Sequence, residues 1–280
     1  MKKVVVGLIV LLLNIGFSSY ALGEDNLTVN KSVLTPPINI EVGYELSSFH
    51  YSEPGVMDED GLLHGVRGVM SGHFENNFMV GISLRLSVGG LDYDGQTMAG
   101  TPVTADTDDF VFSLRSLFGY DFDIGRSIIT PLTGICYRYW NDDLSGTTGG
   151  YEREIKYWYS PIGFETASLT KEEKWIWGLR AEYDFFLVGQ VTSHLSDVHP
   201  GYNDPVNDQN FGDGYGARGS VYFKRPKNVE WPLSIEVFIR YWDIDQSDTA
   251  TWTYYGLPLA YVVEPTNDTT EYGLQLSMQW

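Results

Sequence analysis

The stretch Tyr272-Gly273-Leu274-Gln275-Leu276-Ser277-Met278-Gln279-Trp280 decides how the whole chain is read. Tyr272, Leu274, Leu276, Met278 and Trp280 share one parity, and Gly273, Gln275, Ser277 and Gln279 share the other. A strand has period two, so this segment has one apolar and one polar face. A soluble sandwich would bury the apolar face against a second sheet. A membrane barrel would turn it to lipid and the polar face to a lumen.

Working outward from that strand, the same alternation recurs in nine earlier segments. Ile38 to His50 sets Ile40, Val42, Tyr44 and Leu46 against Glu41, Gly43 and Glu45; Leu63 to Phe74 sets Val66, Met70 and Phe74 against Arg67, Ser71 and His73. Phe78 to Leu91 is the cleanest, with Val80, Ile82, Leu84, Leu86 and Val88 opposite Gly81, Ser83, Arg85, Ser87 and Gly89. Phe110 to Tyr120, Ser127 to Trp140 and Lys174 to Val188 follow the same rule, placing Arg115, Arg138, Arg180, Glu182 and Asp184 on the polar face. Gly214 to Phe223, Leu233 to Trp242 and Thr270 to Trp280 complete the set; Glu154 to Ala167 has no clear facing.

Connections alternate in length. Short turns lie near 75–77, 121–126, 168–173 and 224–232, and longer Asp/Gly/Thr-rich loops at 52–62, 92–109, 141–153, 189–213 and 243–267. An even number of antiparallel strands with short turns at one end and long loops at the other is the transmembrane barrel arrangement. A soluble up-and-down barrel has no reason for this asymmetry and would carry its apolar residues inside. Aromatics gather near strand ends, with Tyr137, Tyr139, Trp140, Tyr241 and Trp242 beside the loops and Trp175, Trp177, Phe223 and Trp231 beside the turns, as a bilayer interface favours. Lys171, Lys174, Lys224, Arg225 and Lys227 sit at the turns.

The fold expected is therefore all-β: a single antiparallel up-and-down transmembrane barrel of ten strands over 38–280. Eight strands is the alternative, if two weak segments pair outside the membrane. Before it, Lys2, Lys3 and the apolar run from Val4 to Phe17 read as a signal peptide over 1–23, cut after Ala21 or Gly23, followed by a short segment over 24–37. That run is too short for a spanning helix.

A formal charge of −19, with Lys+Arg 18 against Asp+Glu 37, argues against a nucleic-acid partner. The single cysteine, Cys136, allows no intrachain disulfide.

Parity sends Arg67, Arg85, Arg115, Arg138, Arg180, Arg218 and Arg240 inward together with Glu41, Glu45, Glu182, Asp184, Glu236 and Glu271. Facing lipid at the midplane would cost about 2–4 kcal/mol for each arginine. Near-balanced opposite charges in a narrow barrel should hydrogen-bond across it and plug it. A narrow channel is the competing reading.

Ten alternating segments, the export signal, the loop asymmetry and the terminal Tyr272-x-Leu274-x-Leu276-x-x-x-Trp280 resemble the small outer-membrane β-barrel proteins of Gram-negative bacteria, the OmpA-like and porin-like group. The resemblance implies an outer-membrane monomer in contact with lipid and lipopolysaccharide, with periplasmic barrel termini and extracellular loops. It also implies that Tyr272, Leu274, Leu276 and Trp280 form the signal read by the barrel-assembly machinery, although that signal usually ends in Phe. A structural or surface-interaction role follows.

The layout is also similar to the omptins, ten-stranded outer-membrane proteases that place an Asp-x-Asp pair beside one loop and an Asp-x-His pair beside another. Asp92-Tyr93-Asp94 and Asp197-Val198-His199 occupy the matching loops, and the resemblance would make Asp92, Asp94, Asp197 and His199 activate a water for peptide cleavage. Solvated acidic loops account for the same residues, and Pro200-Gly201 after His199 is turn chemistry. Asp106-Thr107-Asp108-Asp109 and Asp243-Ile244-Asp245 offer hard oxygen ligands without the spacing of a calcium loop, so no metal site or cofactor is expected beyond divalent cations bridging lipopolysaccharide.

Overall fold

The computed structural model describes residues 31–97, 100–170, 174–226 and 230–280. The signal peptide expected over 1–23, part of the segment expected over 24–37, and the turn lysines Lys171 and Lys227 lie outside the described residues. After one helical turn, Lys31–Leu34, the chain is almost entirely strand. Ten long strands close a ring: β1 (Ile38–Glu53), β2 (Met57–His73), β3 (Phe78–Gln96), β4 (Pro102–Tyr120), β6 (Ser127–Asp143), β7 (Glu152–Leu169), β8 (Ile176–Ser193), β10 (Gly214–Lys224), β11 (Leu233–Ile244) and β14 (Asn267–Gln279). Every pairing is antiparallel, and β14 closes the ring on β1 with Tyr44 opposite Leu276 and Glu45 opposite Gln275. All ten segments are therefore staves, which removes the eight-stranded alternative. Of the short elements, β5 (Phe122–Asp123) pairs with β6 and β9 (Val206–Gln209) with β8, while β12 (Ala250–Tyr254) and β13 (Leu257–Val262) form a separate hairpin.

The outer face carries the apolar belt. Ile38, Ile40, Val42, Tyr44 and Leu46 on β1, and Tyr272, Leu274, Leu276, Met278 and Trp280 at the chain end, are exposed, whereas Glu45, Gln275 and Ser277 between them are buried. From Ile38 to Leu46 the belt spans about 27 Å along the strand, or about 20 Å of height at the usual tilt. That approaches the apolar band of about 25 Å that outer-membrane barrels present. An apolar girdle of this size around a whole molecule is not a feature of a soluble surface.

Two of the expected loops, 52–62 and 92–109, prove to be mostly strand, and the one over 141–153 is narrowed from both ends. β1 and β2 run on to Glu53 and Met57 and are joined by a tight turn in which Val56 N–H donates to Glu53 C=O (2.9 Å); β3, β4, β6 and β7 continue likewise through 92–96, 102–109, 141–143 and 152–153. These segments were unreadable as outward-apolar strands because the belt ends below them. Above it the outward positions become Asp58, Asp60, Asp92, Asp94, Asp106 and Asp108, all exposed, while alternation itself persists. Seven strands thus build a tall wall; β10, β11 and β14 are shorter, and β9 takes over the edge of β8 above the end of β10.

Two further expectations need correction. Trp140 and Trp242, expected at the interface from their place near strand ends, point inward and are buried. The strict order expected through Val188 breaks on β8: Phe186 pairs with Tyr159 and Val188 with Trp158, leaving Leu187 as an extra residue. That bulge reverses the parity of everything above it.

Candidate functional site

The lumen is built in layers, and the inward positions of β1 list them in order from the turn end: Asn39, Glu41, Gly43, Glu45, Ser47, Phe49, Tyr51, Glu53. At the turn end, buried Leu34, Ile128, Ala167, Leu169, Ile176 and Tyr222 form a small apolar floor.

Above it lies the ionic layer. Arg85 Nε meets Glu45 at 2.6 Å and its Nη2 contacts Glu271; Arg240 meets Glu45 at 2.7 Å and Glu271 at 3.3 Å. Arg67 pairs with Glu236 at 3.0 Å and donates to Gln275 at 2.9 Å. Gln275 in turn donates to Glu41 at 3.4 Å. Arg180 bridges Glu165 (2.7 Å) and Glu236 (3.4 Å), Arg115 pairs with Glu182, and Arg218 with Asp184 at 2.5 Å. Glu165 belongs here although the sequence left its segment without a facing. Arg138 differs from the others: among the described residues no carboxylate lies within ion-pair distance, and its guanidinium is 5.7–5.9 Å from the rings of Trp140, Tyr157 and Trp242.

Those rings belong to a third, apolar layer that parity alone did not reveal. Phe49, Tyr51, Trp140, Tyr157, Tyr159, Phe186 and Trp242 are all buried in one cluster, with edge contacts such as Tyr51 on Trp140 (4.8 Å) and Tyr159 on Trp242 (4.9 Å). Each large side chain so buried contributes about 1.5–3 kcal/mol. An interior expected to be polar throughout thus holds a close-packed aromatic core as well.

The fourth layer lies above the belt, where the outward neighbours are Asp58, Asp60 and Asp108. Here Arg153 is surrounded by carboxylates: Glu53 at 2.7 Å, Asp142 at 2.8 Å, Glu264 at 3.4 Å and Glu59 at 3.8 Å. Asp109 accepts from Trp140 Nε1 at 2.6 Å and from Thr107. One carboxylate oxygen each from Glu59, Asp109 and Asp142 lie within 4.8 Å of one another. Burial, then the neighbouring Asp142 carboxylate, pushes Asp109 up to about 7 and Glu59 well above the usual carboxylate range. Burial and then Glu53 push Glu264 up to about 8. Of these carboxylates only Asp109 stood among the sequence candidates, as part of the acidic run Asp106 to Asp109. The signal was present: Glu53 keeps the parity of Glu45, Asp109 that of Arg115, and Asp142 that of Arg138.

Above the acidic layer opens a vestibule of about 440 Å³, lined among others by Glu53, Tyr93, Asp142, Arg153, Asn207 and Glu264. The long connections after β8 and β11 form one side of it. They are tied by Asn207 Nδ2 donating to Asp248 C=O (2.9 Å) and Val262 C=O (3.0 Å), and by a bridge between Tyr202 and Tyr254.

The four residues of the protease reading are not gathered in this vestibule. Asp92 and Asp94 stand exposed on the outer face of β3, with Leu91 and Tyr93 turned inward between and below them. Asp197 accepts from Glu152 N–H at 3.2 Å; His199 Nδ1 accepts from Gly201 N–H at 2.9 Å and packs among Tyr202, Tyr254 and Tyr255. No hydrogen bond or ion pair joins the two pairs among the described residues. The run Asp106 to Asp109 is split by alternation, with Asp106 and Asp108 outside and Asp109 inside; Asp245 is exposed, and Asp243 accepts from Tyr215 at 3.2 Å. Glu152, Glu154 and His194 also cluster, on the half-exposed outer rim.

No protein-family model and no curated protein matches the sequence. Among solved structures, the chain is similar to the outer membrane protease OmpT from Escherichia coli, at a TM-score of 0.56 and 10% identity, over 91% of this chain and all of that one. The translocator domain of the autotransporter NalP from Neisseria meningitidis matches at a TM-score of 0.40 and 8% identity, over 98% of this chain and 97% of that one. At such identities the likeness to OmpT is one of fold.

Proposed function

We propose that the chain is a non-conducting outer-membrane barrel with a structural or surface-interaction role, its turns and barrel termini periplasmic and its tall wall and vestibule outside the cell. The observation that carries this reading is the pair of close-packed layers across the lumen. The ionic layer leaves voids of about 40 and 10 Å³ among its arginines and one of about 100 Å³ between Arg67, Arg115, Arg180 and the floor, and the aromatic layer lies directly above it. A conducting pore of this strand number would need an open polar interior. The belt is in contact with lipid and lipopolysaccharide, with divalent cations bridging phosphates to the outward aspartates. The lipid-facing Tyr272, Leu274, Leu276 and Trp280 are read by the barrel-assembly machinery.

Reconstitution in a planar lipid bilayer tests the reading. The purified protein should give no unitary current steps, and with lipopolysaccharide it should leave peptides with basic residues uncut. Reproducible steps would replace this reading with a channel. Cleavage lost in His199→Ala or Asp94→Ala would replace it with a protease like OmpT.

A further inference from the structure

We propose that Glu59, Asp109 and Asp142 form a binding site for one Ca²⁺ ion, buried beneath the vestibule. Three observations carry it. The first is geometric: one oxygen from each of the three side chains lies within 4.8 Å of the others. Oxygens at that spacing lie at most about 2.8 Å from their common centre, so Ca²⁺, which takes carboxylate oxygens at about 2.3–2.6 Å, needs only a small closing movement, whereas Mg²⁺ needs a tighter octahedron at about 2.0–2.1 Å.

The second is an unanswered side chain. Glu59 is wholly buried, yet among the described residues no N–H group donates to either of its carboxylate oxygens or to Asp142 Oδ1, and the polar group that faces Glu59 is the Asp142 carboxyl itself. Buried carboxylates are ordinarily satisfied by donors. The nearest cation to Glu59 is Arg153 Nη2, 3.8 Å away and already shared with Glu53, Asp142 and Glu264.

The third is charge. Glu53, Glu59, Asp109, Asp142 and Glu264 share a single guanidinium, in contrast to the matched ionic layer below. Asp142 lines both the trio and the vestibule, so an ion arriving from outside meets an acidic funnel that ends at Glu59. Hard oxygen donors without imidazole or thiolate favour an alkaline-earth ion over zinc. The site does not depend on whether the barrel conducts.

The test uses the full chain in detergent micelles free of lipopolysaccharide, so that lipid phosphates cannot supply the binding. After stripping with chelator, calorimetric titration with CaCl₂ at pH 8 should give one Ca²⁺ per chain. Glu59→Gln and Asp109→Asn should each weaken binding at least tenfold; the shift in gel mobility on heating reports whether each variant is folded. The unaltered protein supplies a check that needs no variant. Tb³⁺ in place of Ca²⁺ should show emission sensitised by Trp140, whose indole nitrogen is 2.6 Å from Asp109, and Ca²⁺ should quench it by displacement. Absence of saturable Ca²⁺ binding together with absence of displaceable Tb³⁺ emission would overturn the proposal. So would folded Glu59→Gln protein that binds as the unaltered chain does, and the trio would then be held together by shared protons.

Discussion

Two belts of charge cross the same lumen under opposite rules. In the lower one, six arginines each meet at least one carboxylate, and Glu45 and Glu271 each serve both Arg85 and Arg240. In the upper one, carboxylates crowd a lone Arg153. Both belts follow the same alternation along each strand, which says which residues point inside and nothing of how their charges balance. The ratio of signs then decides the outcome: a matched belt closes the barrel, while an unmatched one retains a demand for protons or a cation.

The sharpest way to break the contrast is Glu45→Ala. It leaves Arg85 and Arg240 to share Glu271 alone in the lipid-girdled section, where removing one partner of a buried pair costs about 3–5 kcal/mol. Urea unfolding in micelles should show a loss of that size at any pH from 5 to 8, and an unchanged midpoint would mean the lower belt is not structural. Arg153→Met should cost nearly as much at pH 8 but much less at pH 5, because the carboxyls around it can accept protons once their cation is gone. Equal losses at the two pH values would erase the distinction between the belts.

A smaller effect concerns Asp109 in the unaltered protein. Its folded value of about 7 exceeds the ordinary 3.8, so between those values the native state binds the extra proton. Stability without added cation should therefore fall as pH rises from about 4 through 7, by at most about 1.4 kcal/mol per pH unit for one group. Asp109→Asn should flatten that slope, and a slope unchanged in the variant would put the titration elsewhere. The smallest effect is expected from the double change Asp92→Asn, Asp94→Asn, whose side chains stand in solvent on the outer wall: within about 0.5 kcal/mol in the same unfolding series.

Much of the barrel was legible because lipid imposes a rule that holds residue by residue. Val80 to Val88 alternates against Gly81 to Gly89 without exception, and no other environment rewards that pattern in nine of ten strands. The candidate site was less legible. Where the wall rises past the belt, outward positions need only be polar, so Asp106, Asp108 and Asp109 read as one acidic run although they lie on opposite faces. Trp140 and Trp242 misled for a related reason, since an aromatic near a strand end suits either the interface or a packed interior. Leu187 gave no local sign that it was an extra residue, because a bulge depends on the partner strand as much as on its own.

By itself the sequence determined the cylinder and the facing of most residues within the belt, since each follows from a single strand meeting hydrocarbon on one side; the closed ring decided ten strands over eight. Only the tertiary structure decided which charges share a height. Glu45 reaches both Arg85 and Arg240, residues far apart in the chain, because strand tilt and hairpin register bring β1, β3 and β11 to one level. The same stagger stacks an aromatic layer between two ionic ones and collects Glu59, Asp109 and Asp142 from three separate strands. Parity is a property of one strand, whereas height is a property of the closed ring.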